Sequence, residues 1–214
     1  MNEGITRTYE SWYEGKYRKA DLQEKSVLGE AIRWIGGVRT ILEVGCGTAH
    51  FSRFFEESGI EAIGVDISPY MLKEARRLWG GDKIIRATSL HIPLEEKSVD
   101  AAGFVTCFEY MPRPLDVIRE ASRVARRGIF FGLMNSWSVP TVRRRIQVAL
   151  GKNDYYNTAH FYSILEVRRL LREALEGGKV ATFQRSTVFP RLTLLRESRL
   201  PLGAFLCVGV RFDG

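Results

Sequence analysis

Long apolar runs are missing from this chain. No stretch reaches the ~18 apolar residues a helix needs to cross a bilayer, and Met1 to Glu10 show no basic start followed by an apolar core. No membrane partner and no secretory leader are therefore expected, and the cytoplasm is the expected compartment. Cysteine is scarce as well. Cys46, Cys107 and Cys207 are odd in number, far apart and without a CxxC pair or a nearby pair of histidines, so neither a disulfide framework nor a zinc site is indicated. Asn and Gln number only four and three beside many Arg, Lys and Glu, a balance that suits a heat-adapted chain. Internal repeats, low-complexity tracts and linkers are lacking too, so a single domain over residues 1–214 is expected.

What is present suffices for one substantial core: 45% of the 214 residues are apolar and 27% charged. The net charge of +7 favours encounters with anionic partners. The most informative stretch is Ile41-Leu42-Glu43-Val44-Gly45-Cys46-Gly47-Thr48-Ala49-His50, a short apolar run leading into two glycines with an acid two places before the first. It reads as a buried strand ending in a loop whose backbone a ligand can approach. Phe51, Phe54 and Phe55 follow at helical spacing, then Ile60 to Asp66 reads as a second buried strand ending in an acid, and Ser68-Pro69 opens another helix. This is a βαβ unit, and Asp66 lies 21 residues beyond Gly45, the interval at which such folds place a carboxylate for ribose hydroxyls.

Upstream, Asp21 is expected to cap a helix with Glu24 as its capping-box partner, and Gly36-Gly37 to stop it. Before that helix, Tyr9, Trp12, Tyr13 and Tyr17 either cover an open end of the core or form a lid over a ligand. Downstream, Lys83 to Arg86, Ser98 to Val105 and Ile129 to Asn135 read as strands three to five, with a helix before the last closed by Arg126-Arg127-Gly128. The alternation predicts a parallel sheet with helices on both faces and ligands at the switch between the first and fourth strands. A helix-like piece from Val139 to Gly151 carries Arg143-Arg144-Arg145. A tyrosine-rich loop to His160 follows, then a helix capped by Ser163 and Glu166, and two strand-like runs, Lys179 to Phe189 and Ala204 to Phe212.

Glu43-x-Gly45-x-Gly47, Asp66-Ile67, the Ser89 to Leu94 segment, Ser98-Val99-Asp100, Glu120 to Gly128, Phe161-Tyr162-Ser163 and the early Tyr9-x-x-Trp12 together resemble the class I S-adenosylmethionine-dependent methyltransferases, type 11 family. The resemblance implies an α/β fold, a Rossmann-like seven-stranded sheet in the order 3-2-1-4-5-7-6 with strand 7 antiparallel, falling at Ala204 to Phe212. Residues 1–37 are expected to form an N-terminal lid and helix, and 136–162 a substrate-side insertion. The resemblance also implies S-adenosylmethionine as cofactor. Gly45 and Gly47 would let the backbone pass the methionine portion and Glu43 would receive its amino group. Asp66 would hold the ribose hydroxyls, Ile67 would lie on the adenine, and Ser89 and Leu90 would frame its edge. Thr106 with Phe108 would pass beneath the sulfonium. Cys46, Met71, Thr88, Tyr9 and Trp12 complete the cofactor set, Thr88 standing where many relatives carry an acid.

Methyl transfer from a sulfonium loses positive charge, so a base is optional. Glu109, His160, Tyr155 or His91 could take the proton of a hydroxyl or an ammonium, the first three being the catalytic candidates. A dinucleotide oxidoreductase fits less well, because its third small residue falls on His50 and it has no task for Glu43. A non-catalytic basic module, suggested by Arg143 to Arg145 with Arg185, Arg191, Arg196 and Arg199, also competes, as does an RNA or protein methyltransferase. Thr106-Cys107-Phe108-Glu109 lacks the Asn/Asp-Pro-Pro-aromatic motif of nucleic-acid amino-methylation. A small organic acceptor with an oxygen or nitrogen nucleophile, anionic if the arginines draw it, is the expected partner; no metal is expected.

Overall fold

The structure is a computed structural model that describes residues 10, 13, 15, 17–152, 156–175, 180–187 and 197–212. In chain order the elements are α1 (Arg18–Ile35), β1 (Thr40–Val44), α2 (His50–Glu57), β2 (Glu61–Asp66), α3 (Pro69–Trp79), β3 (Ile84–Arg86), β4 (Val99–Val105), a single 3-10 turn (Phe108–Tyr110), α4 (Pro114–Val124), β5 (Ala125–Met134), α5 (Val139–Ala149), α6 (Ile164–Ala174), β6 (Val180–Thr187), β7 (Glu197–Ser198) and β8 (Phe205–Phe212). They form one sheet in the order β3-β2-β1-β4-β5-β8-β6-β7. Strands β1 to β5 pair in parallel, and β8 enters antiparallel between β5 and β6. This is the expected seven-stranded order with one addition: the basic connection before β8 contributes the two-residue β7 on the outer edge of β6.

The two faces of the sheet follow from strict alternation of side chains. Along β5, Ile129, Phe131 and Leu133 point to one core, with α4 and α6, while Phe130 points to the other, with α1 and α2. Strand β8 divides likewise: Leu206, Val208 and Val210 on the first face, Phe205 and Cys207 on the second. Because β1 lies between β2 and β4, the chain leaves it in opposite directions across the two faces, which opens a crevice at the C-terminal ends of β1 and β4.

Two boundaries differ from the sequence reading. Helix α1 starts at Arg18 with Tyr17 at the N-cap, so Asp21 lies inside the first turn and is not the cap. Its buried carboxylate is taken instead by His50 (2.7 Å) and Lys25 (2.9 Å). Helix α4 ends at Val124, and Arg126-Arg127-Gly128 belongs to β5 rather than closing the helix. Both arginines reach the buried Asp100 at the start of β4, at 2.8 and 3.1 Å, which draws them into the ladder. The expected cap of α6 is present in full: Ser163 accepts from the Glu166 amide, and the Glu166 carboxylate accepts from the Ser163 amide. Ser163→Ala is expected to lower stability by about 1 kcal/mol, read as a lower urea midpoint at unchanged slope.

Candidate functional site

At the end of β1 the chain turns through Gly45 (φ +75°) and Gly47 (φ +55°) into Ala49, whose left-handed φ of +64° opens α2. The amides of Gly45 and Cys46 both donate to the Val65 carbonyl, at 2.7 and 3.0 Å, locking the loop to β2. A Cβ on Gly45 would stand 2.8 Å from Cys107 Sγ, so glycine is needed there by the close approach of the post-β4 segment. Gly47 differs: among the described residues other than its chain neighbours, no atom lies within 4 Å of where its Cβ would be. Its backbone faces open space.

That space is a cavity of about 370 Å³, within the range of small-molecule sites. Glu43, Gly45, Cys46, Gly47, Asp66, Ile67, Met71, Thr88, Ser89 and Thr106 all line it, so ten of the sequence candidates converge on one cavity. Asp66 is fastened from both sides: one carboxylate oxygen accepts from the Gly47 amide at 3.0 Å, the other from the Ser68 amide at 2.8 Å. Burial nevertheless raises its pKa, these amides opposing the rise. Glu43 is buried beneath the loop and accepts from the Ser52 hydroxyl. Burial pushes its carboxyl up to about 8, the Ser52 bond only partly offsetting this. Thr106 holds φ +50°, a strained backbone for a β-branched residue, and its amide donates to Gly132 at 2.8 Å.

Two cofactor candidates lie elsewhere. Phe108 does not line the cavity; the 3-10 turn sends its ring into the core against Phe104, Phe131 and Tyr162, at centroid distances of 5.4, 5.1 and 5.0 Å. The wall at that point is made by Cys107, Tyr110, Met111 and Pro112 instead. Leu90 packs against the first core, its amide donating to Thr88 Oγ1 at 3.3 Å, which takes one of the two lone pairs of that hydroxyl. Tyr9 and Trp12 lie outside the described residues, as does Tyr155.

Glu109 is buried in the same turn. Its Oε1 accepts from the Met134 amide at 2.5 Å and its main-chain carbonyl from the His160 amide at 2.8 Å. Its Oε2 is buried with no hydrogen-bond partner among the described residues, and burial raises the carboxyl to about 7, the Met134 amide opposing. His160 is exposed, 3.3 Å from Glu166, on the rim of a second cavity of about 530 Å³ with Trp137, Arg145 and Tyr156. His91 is exposed beyond β3 and lines neither cavity.

Sequence reasoning missed the role of His50. Its ring stacks on Tyr13 at 3.6 Å, and both residues line the first cavity. Its Nε2 bonds Asp21, while Glu10 sits 3.9 Å from Nδ1 and takes Thr48 Oγ1 at 2.5 Å and Arg53 Nη2 at 2.6 Å. These contacts fasten Glu10 and Tyr13 to Thr48 of the loop and to His50 and Arg53 of α2. The only signal for this was the cluster of aromatics ahead of α1. Among the described residues no group of side chains is arranged to hold a metal ion.

A methyltransferase-domain family model matches residues 42–132, the span from β1 through β5. An uncharacterized protein of Methanocaldococcus jannaschii is 33% identical over 134 residues, 62% of this chain and 62% of that one. A malonyl-(acyl-carrier protein) O-methyltransferase of Enterobacter lignolyticus is 29% identical over 140 residues, 64% of this chain and 51% of that one. The chain thus spans between half and two thirds of the length of these relatives. Among solved structures, a SAM-dependent methyltransferase of Thermotoga maritima, a possible histamine N-methyltransferase, superposes with a TM-score of 0.79 at 25% identity, over 99% of this chain and 98% of that one.

Proposed function

We propose that the chain is a class I S-adenosylmethionine-dependent methyltransferase of the type 11 kind and that it transfers a methyl group to an oxygen or nitrogen of a small organic acceptor. The observation that carries this is the open space over Gly47, bounded by the clamped Asp66 on one side and Thr106 on the other. Bound there, S-adenosylmethionine supplies an electrophilic methyl on a positively charged sulfur.

The residues present fit that group. Gly47 offers backbone with no Cβ in the way, and Glu43 offers a buried carboxyl beneath the loop for an ammonium. Asp66 keeps lone pairs for a diol while its amide bonds prevent the carboxylate from turning away. Ile67, exposed at the mouth, and Met71, buried behind it, offer apolar surface for a flat ring. Tyr13, stacked on His50, lines the same cavity and offers apolar surface that would displace water around an in-line displacement that disperses charge.

For an acceptor that must lose a proton no base is assigned: Glu109 is buried and lines neither cavity, and His160 lies on the second cavity, exposed and engaged by Glu166. The Enterobacter relative is an O-methyltransferase and the Thermotoga protein a possible N-methyltransferase, which supports either nucleophile. The cytoplasm is our proposed compartment, supported by three free cysteines. No helix among the described residues is long and apolar enough to cross a membrane.

The test is incubation of the purified protein with methyl-labelled S-adenosylmethionine and a panel of small hydroxyl, carboxyl and amine compounds. Label is expected in the small-molecule fraction. Label found only in RNA or protein, or cofactor bound with no transfer to any class of acceptor, would overturn the reading.

A further inference from the structure

Helix α5 is unlike its neighbours: Thr141 is its one buried residue. Val139, Val142, Ile146 and, at the C-cap, Leu150 are 71, 46, 55 and 61% exposed. Their spacing of three, four and four residues stacks them along one side of the helix. At 3.6 residues per turn the exposed Arg143 and Arg145 fall on opposite flanks of that stripe. Arg144 turns inward, its guanidinium 5.4 Å from the Tyr156 ring centre. Trp137, also exposed, precedes the helix, and no acid occurs from Ser136 to Lys152. Isolated exposed apolar residues need no explanation, but an aligned row of four with a basic border does.

We propose that α5 is an interfacial anchor, laying its outer face on a bilayer surface rich in anionic headgroups. The apolar row enters the boundary between headgroups and acyl chains, Arg143, Arg145 and Lys152 meet phosphates, and Trp137 sits at headgroup level. Charge decides between occupants. In a two-fold contact with a second copy, the same arginines would face each other across an apolar seam. An RNA would satisfy the arginines but leave the apolar row in water. An anionic bilayer satisfies both. Such a contact lies on the membrane and does not cross it, so the missing spanning runs, on which the expectation of no membrane partner rests, do not bear on it. The second cavity opens beside the same helix, with Arg145, Val148 and Ala149 in its wall.

The experiment is flotation of the full chain with vesicles of phosphatidylcholine alone or mixed equally with phosphatidylglycerol. Partition into the anionic vesicles is expected to be at least about tenfold stronger and to weaken with salt. Ile146→Ser combined with Leu150→Ser is expected to reduce it by about tenfold or more, and Arg143→Gln by about fivefold. Cofactor affinity by calorimetry should stay unchanged in both variants, which shows that they are folded. Equal partition into both vesicle types, or variants that float like the parent protein, would overturn the proposal. So would a dimer in light scattering that Ile146→Ser dissolves, or an RNA oligonucleotide that displaces the vesicles. None of these readouts involves methyl transfer, so the anchor and the proposed activity fail separately.

Discussion

Asp66→Ala weakens binding of S-adenosylmethionine by about tenfold or more while leaving the fold intact. A diol held by a carboxylate is held by charge-assisted hydrogen bonds, worth about 1.5–3 kcal/mol each in a partly buried site, and tenfold in affinity needs only about 1.4 kcal/mol. The substitution also strips the Gly47 and Ser68 amides of their acceptor and loosens the glycine loop against β2. Asp66→Asn separates the two contributions. Its amide oxygen can still take one backbone N–H but carries no charge, so its affinity should fall between the parent and the alanine variant. Titration calorimetry on the three proteins, with circular dichroism as the control for folding, measures this. Affinities that agree within error would show that the cavity holds its ligand without Asp66.

Between about pH 5 and pH 8 the ligand-free protein loses stability as the pH rises. Burial raises Glu43 to about 8 and Glu109 to about 7, against an ordinary value of 4.5 in the unfolded chain. In that interval the unfolded chain releases protons that the folded chain retains. The stability these two groups contribute is full below about pH 4.5 and is lost as the pH passes 7 and then 8. Asp66, also raised, acts in the same direction. On the acid side the sign reverses. Against burial, bonds from His50, Thr48 and Arg53 hold Glu10 down to about 2, and His50 and Lys25 hold Asp21 low, so their contribution disappears as the pH falls.

A stability maximum near pH 5 follows, with a decline on the order of a few kcal/mol by pH 8.5, since each tenfold difference in proton affinity between the folded and unfolded chain is worth about 1.4 kcal/mol. Glu43→Gln, which keeps an acceptor for Ser52, should flatten the alkaline limb when urea midpoints are measured from pH 4.5 to 9. Saturating S-adenosylmethionine should flatten it as well, because an ammonium beside Glu43 favours the charged carboxylate. A Glu43→Gln protein with the parent's slope would mean that Glu43 is ionised in its pocket.

Much of this fold was legible because its signals are local. Short apolar runs ending in Gly45 and Asp66, and the Ser163-Glu166 box, specify strands, a loop and a cap within a few residues. The errors arose where long-range partners override local preference. Asp21 has the sequence context of a cap, yet His50, 29 residues away, holds it inside the helix. Arg126 and Arg127 suit a helix terminus, yet Asp100 at the start of β4 draws them into a strand. The family resemblance implies Phe108 beneath the ligand. The 3-10 turn rotates it into the core, and no sequence period announces a turn of three residues.

The sequence by itself determined the parallel α/β order, the glycine loop and the acid at the next strand tip, since each rests on residue type and spacing along the chain. Only the tertiary structure decided which side chains share the cavity, that Tyr13 stacks on His50 in its wall, and that Glu109 keeps one oxygen unpaired among the described residues. It alone also decided that the outer side of α5 is left to solvent. Burial, pairing and exposure are set by what another part of the chain brings alongside, and that is not written in the spacing of any one segment.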